Sequence, residues 1–382
     1  MPERFVYLDY NATTPMRDEV VEEMIKVINA GNPSSPHWSG REARAFLDSA
    51  REKVAEILGT EAYEIIFNSG ATEGNNTVIK GIAFYEIKKN RTPFFISTYV
   101  EHSSVLRPLE FVRELGAKVE FVKVDNYGIP DPDDFRKIIK KNGKPSLISV
   151  MYVNNETGVI LPLEEIIKIA KEYEVLVHSD IVQAVGKLEI NLRKLGVDFA
   201  TFSAHKIYGP KGTGVLYVKK GTPLEPLIHG GKQEDGLRAG TQNVAGAVGL
   251  AKALEICTKE MKEENKRLRK IQELFERMVL EIDGTKINGH PEFRIPTTSN
   301  VLFKGIEGET LMISLDLEGI AVSMGSACSA ESKTPSHVLT AMGMTEEDAK
   351  SSIRFSFGFY TKEEDIFYTI EKLKEIIKKL RD

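Results

Sequence analysis

The run "VLVHSDIVQ", residues 175–183, decides how the chain must be read. Its opening residues are mostly aliphatic and too few for a helix, so they predict a short buried strand. The strand ends on Asp180, with Gln183 three residues further on. A buried carboxylate is costly unless it is paired or hydrogen-bonded, so Asp180 needs a partner. Ordinarily such an aspartate caps a helix or forms a salt bridge.

The same rhythm extends outward on both sides. Upstream stand helix "PLEEIIKIAKEY" (162–173), strand "LISVMYV" (147–153), helix "DPDDFRKIIKK" (131–141) and strand "KVEFVKV" (118–124). Before them come helix "SVLRPLEFVREL" (104–115), strand "FFIST" (94–98), helix "ATEGNNTVIKGIAFYEIKK" (71–89) and strand "EIIFNSG" (64–70). Downstream follow strands "FATFSAH" (199–205) and "GVLYVKK" (214–220). This βαβα alternation predicts an α/β fold: an open, mostly parallel sheet covered by helices on both faces. Ligands of such sheets bind where strands end and loops begin.

From Ala245 to Ile282 a long, highly charged helical pattern carries the chain out of the sheet. Strand "SNVLF", helix "GETLMISLDLE", strands "IAVSMG" and "SIRFSFGF" and a final amphipathic helix then predict a smaller α+β domain of about 100 residues. The expected division gives residues 15–258 to a large cofactor-binding domain, and 1–14 with 259–382 to the small one.

Composition excludes several classes. With 41% hydrophobic and 28% charged residues and a net charge of −5, the chain reads as an ordinary globular protein with no electrostatic pull toward nucleic acid or anionic membrane. The start, "MPERFVYLDY", lacks the regions of a signal peptide, and no run reaches the ~20 apolar residues of a membrane span. A cytoplasmic location is expected. Only Cys257 and Cys328 are present, too few for a disulfide framework. Cys257 has neighbours at helical spacing and reads as a small buried hydrophobe. Cys328, in "VSMGSACSAES" (322–332), has no large neighbour to bury it.

Two further stretches join Asp180 in one constellation. In "SAHKIYGPKGTG" (203–214), a strand runs into Lys206 and a glycine-rich turn that lets backbone approach a ligand closely. In "NSGATEGNN" (68–76), Ser, Gly and Thr open a helix whose N–H groups and dipole favour a phosphate. Each is unremarkable alone: a solvated lysine, an ordinary cap. Together they specify a small phosphate-bearing aromatic cofactor that wants a lysine and a buried acid, which fits pyridoxal phosphate.

The motifs "DYNATTP", "GATEGNN", "EHSSV", "VNNETG", "HSDIVQ", "SAHKIYGPKG", "RAGTQN", "GSACS" and "SSIRFSFG", in this order, extend the argument over nearly the whole chain. The sequence resembles cysteine desulfurases of the NifS/IscS kind, in the class V aminotransferase group of the fold type I pyridoxal-phosphate enzymes. The resemblance implies that Lys206 holds the cofactor and moves protons at the substrate's Cα. It implies that Asp180 pairs with the pyridinium nitrogen, Gln183 bonds the phenolic oxygen, and His102 stacks on the ring. Ala71 and Thr72, through their N–H groups, with Ser203 and His205 would cradle the phosphate. Thr241 would reach the phosphate of a second subunit, making a homodimer with shared sites. Asn154 would lie against cofactor and substrate.

Alternation places Ile353, Phe355, Phe357 and Phe359 on one strand face and Arg354 on the other. A guanidinium there is either solvent-exposed or suited to a carboxylate, and the resemblance assigns it the substrate's carboxylate. Ile181 and Val182 stand where the family usually has small residues, one of which packs on the ring.

On this reading Cys328 is the nucleophile that takes sulfur from L-cysteine, leaving L-alanine, and carries it as a persulfide to an iron–sulfur scaffold protein or another acceptor. Residues 323–336 form its long active-site loop, whose Gly/Ser/Ala composition suits movement. Cys328 is also a candidate transient ligand of an iron–sulfur cluster. The competing expectations are an aminotransferase, a selenocysteine lyase, or a non-catalytic scaffold for iron–sulfur assembly. A transaminase has no use for the loop thiol, and retention of Lys206 with Asp180 argues against a scaffold.

Overall fold

Strands with no polar face must be covered on both sides, and Phe94–Thr98 and Phe199–Ser203 are buried along their whole length. The computed structural model describes residues 4–325 and 334–381. In chain order the strands are β1 (Val6–Tyr7), β2 (Ile65–Asn68), β3 (Phe94–Thr98), β4 (Lys118–Val122), β5 (Leu147–Ser149) and β6 (Val177–Asp180). Then come β7 (Phe199–Ser203), β8 (Gly214–Val218), β9 (Thr285–Asn288), β10 (Thr298–Phe303), β11 (Ile320–Ala321) and β12 (Ser352–Ser356).

The main sheet has seven strands in the order β2-β8-β7-β6-β5-β3-β4. Its neighbours are parallel except around β8, which runs antiparallel to both β2 and β7. The expected fold class is therefore observed, with one reversed strand. Its two faces are packed by separate apolar clusters. Ile96, Ile148, Val177 and Phe202 belong to one; Phe95, Leu147, Phe199 and Leu216 belong to the other.

A second core forms around a three-stranded antiparallel sheet, β12-β10-β9. The helix Val244–Val279 joins the two, as its length and charge predict. Ala247, Leu250 and Leu254 on its first half enter the main core, whereas Leu268, Phe275 and Val279 enter the second. Phe275 packs on Phe355 and Phe357 with ring centroids 4.7 and 5.4 Å apart. Strand β1 from the chain's start pairs with β11 in parallel and adds Val6 and Leu8 to this core. The alternating pattern holds for Ile353, Phe355 and Phe357, but β12 ends at Ser356 and Phe359 lies beyond it. The expected strand "IAVSMG" is ordered as strand only over Ile320–Ala321.

Among the described residues no helix is long and apolar enough to cross a membrane.

One buried group makes stability depend on pH. His178 on β6 is fully buried, with Nδ1 2.8 Å from Ser149 Oγ and no partner for Nε2 among the described residues. Burial pushes its pKa from 6.5 down to about 3. Below pH 6.5 the unfolded chain takes up a proton that the folded chain refuses, so this contribution is lost as pH falls from 6.5 toward 3. Acidification from pH 7 to pH 4 should therefore cost roughly 3 kcal/mol through this residue alone. Urea titrations of wild type and His178→Gln across that range check it. The variant should show the shallower loss, and parallel pH profiles would disprove the assignment.

Candidate active site

Parallel strands point their carboxyl ends the same way, and here that edge carries the chemistry. Strand β6 ends on Asp180, β7 ends on Ser203, and a single turn, Ala204–Lys206, follows directly. The helix Ala71–Lys88 starts beside them after β2. Between these ends lies a pocket of about 230 Å³. Its lining includes Ala71, Thr72, His102, Asp180, Gln183, Ser203, His205, Lys206 and Arg354, drawn together from across the chain.

The helix start is built for an anion. Gly70 precedes it at φ +147°, a conformation that favours glycine, and has no side chain of its own to cap the first turn. Ala71 donates its N–H to Ser203 Oγ at 2.8 Å. That bond orients the serine hydroxyl at the helix start. Thr72, one residue on, lies in the turn where N–H groups lack a carbonyl partner, at the positive end of the helix dipole. His205 stands opposite, 3.2 Å through Nδ1 from Thr13 Oγ1. Burial and the neighbouring Lys206 push its pKa down to about 4, so it is a neutral imidazole near pH 7.

Asp180 is buried, and its carboxylate oxygens accept from Asn75 Nδ2 at 2.8 Å and Val182 N–H at 3.0 Å. Both donors are neutral. Asn75 itself is fixed by Ser104 Oγ and Thr201 Oγ1, so the acid is held from behind by a complete network. His102 caps the helix Ser103–Glu114 by accepting from Ser104 N–H at 3.1 Å. Burial lowers its pKa, which keeps the ring neutral. Next to it, the fully buried Glu101 receives Met151 N–H and Thr98 Oγ1, and burial raises its pKa to about 8.

Lys206 reaches back to the chain's first segment, donating to the carbonyls of Asn11 and Ala12, both at 2.6 Å. Gln183 donates to the same Asn11 carbonyl at 3.3 Å. Arg354 is only 1% exposed, not on the surface. Its Nη2 bonds Asp9 Oδ1 at 2.8 Å and its Nη1 bonds the Asn155 carbonyl at 3.1 Å. It is thus poised at the pocket wall with a fixed fork.

One expectation is corrected. Asn154 does not line the pocket. Its Nδ2 donates to the Val100 carbonyl, and its Oδ1 collects the N–H groups of Glu156 and Thr157. That amide shapes its own turn; the next residue, Asn155, lines the pocket. Of the two bulky residues after Asp180, Val182 lines the pocket, whereas Ile181 is fully buried in the main core. Thr241 is exposed and lies outside the pocket of its own chain. Cys328, including its candidate role as a cluster ligand, lies outside the described residues. The other thiol, Cys257, donates to the Ile207 carbonyl at 3.3 Å, and burial raises its pKa to about 12, as an inert thiol requires.

The sequence reading missed Asn75, Asn155, Asp9 and the Asn11 and Ala12 carbonyls. Asn75 had a usable signal, since it sits four residues after Ala71 and so on the same helix face. The others depend on backbone carbonyls and on contacts across more than a hundred residues, which no local pattern carries.

Known proteins resemble this chain over its whole length. The family model described as aminotransferase class-V matches residues 6–368. The cysteine desulfurase IscS of Dictyoglomus turgidum is 49% identical over 381 residues, which span 99% of this chain and 96% of the relative. Among solved structures, a NifS-like protein superposes with a TM-score of 0.92 at 41% identity, covering 99% of this chain and all of that one. SspA in complex with cysteine superposes with a TM-score of 0.83 at 34% identity over 94% of this chain. By sequence along its whole length and by fold, the chain belongs to the class-V aminotransferase family.

Proposed function

We infer that this chain is a pyridoxal-phosphate-dependent cysteine desulfurase, converting L-cysteine to L-alanine and passing the sulfur on through Cys328. The observation that carries the reading is the convergence of Lys206, Asp180 and Arg354 on one pocket next to a helix start. The pocket's donor set fits the cofactor. The helix start with Thr72, Ser203 and His205 suits a phosphate, and Asp180, held by neutral donors only, suits a cationic ring nitrogen. Neutral His102 supplies a flat face, and Gln183 an N–H for the phenolic oxygen. Pyridoxal phosphate, when bound, supplies an electron sink for bonds at the substrate's Cα.

The chain's own groups do the rest. Arg354 holds the substrate carboxylate through guanidinium N–H groups not engaged by Asp9 and Asn155. Lys206, after its amine is displaced by the substrate's, takes the Cα proton and returns one. The Cys328 thiolate attacks the substrate sulfur, so that an S–S bond forms and the C–S bond breaks. The electron pair stays with the carbon that becomes alanine's methyl and takes up a proton. The persulfide then goes to an iron–sulfur scaffold protein or another acceptor. Exposed Thr241, outside its own pocket, supports a homodimer in which it completes the partner's phosphate site. A cytoplasmic setting accords with a chain that carries only two cysteines.

Mass spectrometry after brief exposure to L-cysteine, with alanine assayed in parallel, tests this directly. Wild type should release alanine and gain one sulfur on Cys328. Cys328→Ala should keep its bound cofactor and yellow colour but lose both products. Lys206→Ala should lose them too, together with borohydride-fixable cofactor. Alanine formed normally without Cys328 would remove the thiol from the chemistry and favour a selenocysteine-lyase type of route.

A second expectation concerns Arg354. Replacing it by lysine keeps the charge but loses the planar fork, which should lower kcat/KM for L-cysteine about ten- to hundredfold, mostly through KM. Steady-state kinetics check this, and an unchanged KM would place the carboxylate elsewhere.

A further inference from the structure

Behind the cofactor pocket lies a smaller cavity of about 40 Å³, with room for a few waters. Asn11 and Lys206 line both spaces and, with Gln183, form the partition between them. Lys187 stands on the far side, lining the small cavity but not the cofactor pocket. Its Nζ donates to Gln183 Oε1 at 2.9 Å. At the other end of the same amide, Gln183 Nε2 donates to the Asn11 carbonyl at 3.3 Å, which also receives Lys206 Nζ at 2.6 Å.

A glutamine amide has a donor end and an acceptor end of nearly equal shape, so its partners alone decide which way it faces. A carbonyl only accepts and an ammonium only donates; the two select the same orientation. We propose that Lys187 is a positioning residue that, through Gln183, presents an N–H and not a lone pair to the phenolic oxygen of the bound cofactor. This rests on the pyridoxal-phosphate reading above.

The arrangement is costly, because a methionine would fill similar space without burying an amine. Burial and the charge of Lys206 push the Lys187 pKa down to about 7. The orientation survives deprotonation, since a neutral amine keeps two N–H donors. The titratable groups facing the same cavity are Cys257, Glu260 and Glu264 on the long helix, Tyr10 and Arg17 near the chain's start, and Lys206 and Tyr208 after β7. An N–H aimed at the phenolic oxygen favours its ionised form and lowers the proton affinity of the cofactor chromophore.

The readout is the pH midpoint of the visible absorption change of the holoenzyme, measured without substrate. Lys187→Met leaves the longer, 3.3 Å Asn11 contact to orient Gln183, and the weakened preference should raise that midpoint by about one pH unit; Lys187→Arg should restore it. In a Gln183→Ala background, adding Lys187→Met should move it no further. An unchanged midpoint in Lys187→Met overturns the proposal. So does an equal shift with and without Gln183, which would mean that the lysine acts by charge alone. Should Lys187→Met fail to fold, Lys187→Leu takes its place and must show the same shift. Wild type without a lysine-linked chromophore would overturn the cofactor reading, and this proposal with it.

Discussion

One short stretch, Asp9–Thr14, ties the two cores together and sets the working distance of the site. Asp9 pairs with Arg354 on the small sheet, while the carbonyls of Asn11 and Ala12 receive Lys206 at the edge of the large one. Asn11 also donates to Thr298 Oγ1 on β10 and to the Asn155 carbonyl, and Thr14 Oγ1 bonds the His205 carbonyl. The base and the carboxylate clamp thus hang from positions two or three residues apart, although they lie 148 residues apart in sequence (354 − 206). A small shift of this stretch would move both, and catalysis by positioning is sensitive to displacements of about 1 Å.

The second constraint is electrostatic. A buried carboxylate that accepts only neutral hydrogen bonds offers its open side to a cation. Asp180 is held in that condition by Asn75 and the Val182 N–H. Across the pocket the imidazoles of His102 and His205 are kept neutral by burial, so neither competes for the acid's charge. Lys206 and Arg354 line the same pocket, and the reading proposed above gives Arg354 the substrate's carboxylate and Lys206 the proton at Cα.

Much of this was legible in the sequence, and the unread part has a physical character. Strand ends are visible as apolar runs stopping at Asp180 and Ser203, so the switch from strand to ligand-binding loop could be read directly. The helix start after Gly70 was visible for the same reason. What could not be read was one-residue register. "VNNETG" offers two adjacent asparagines, and only the turn's geometry decides that Asn154 ties the turn while Asn155 faces the pocket. The same holds for Ile181 and Val182, whose neighbouring positions point into core and pocket respectively. Arg354 was placed on the correct strand face, but its burial against Asp9 needs a partner 345 residues away.

That burial has a consequence for how substrate is held. Arg354 is already neutralised by Asp9, so an incoming carboxylate meets a locally balanced pair and gains little from long-range attraction. What it gains is the fork: donors fixed in plane by Asp9 on one side and the Asn155 carbonyl on the other, with no rotamer search left to lose. Discrimination then comes from geometry. The Asp9–Thr14 stretch ties Arg354 and Lys206 to one short segment, so the two side chains are held relative to each other. The clamp proposed for the carboxylate therefore acts through orientation more than through net charge.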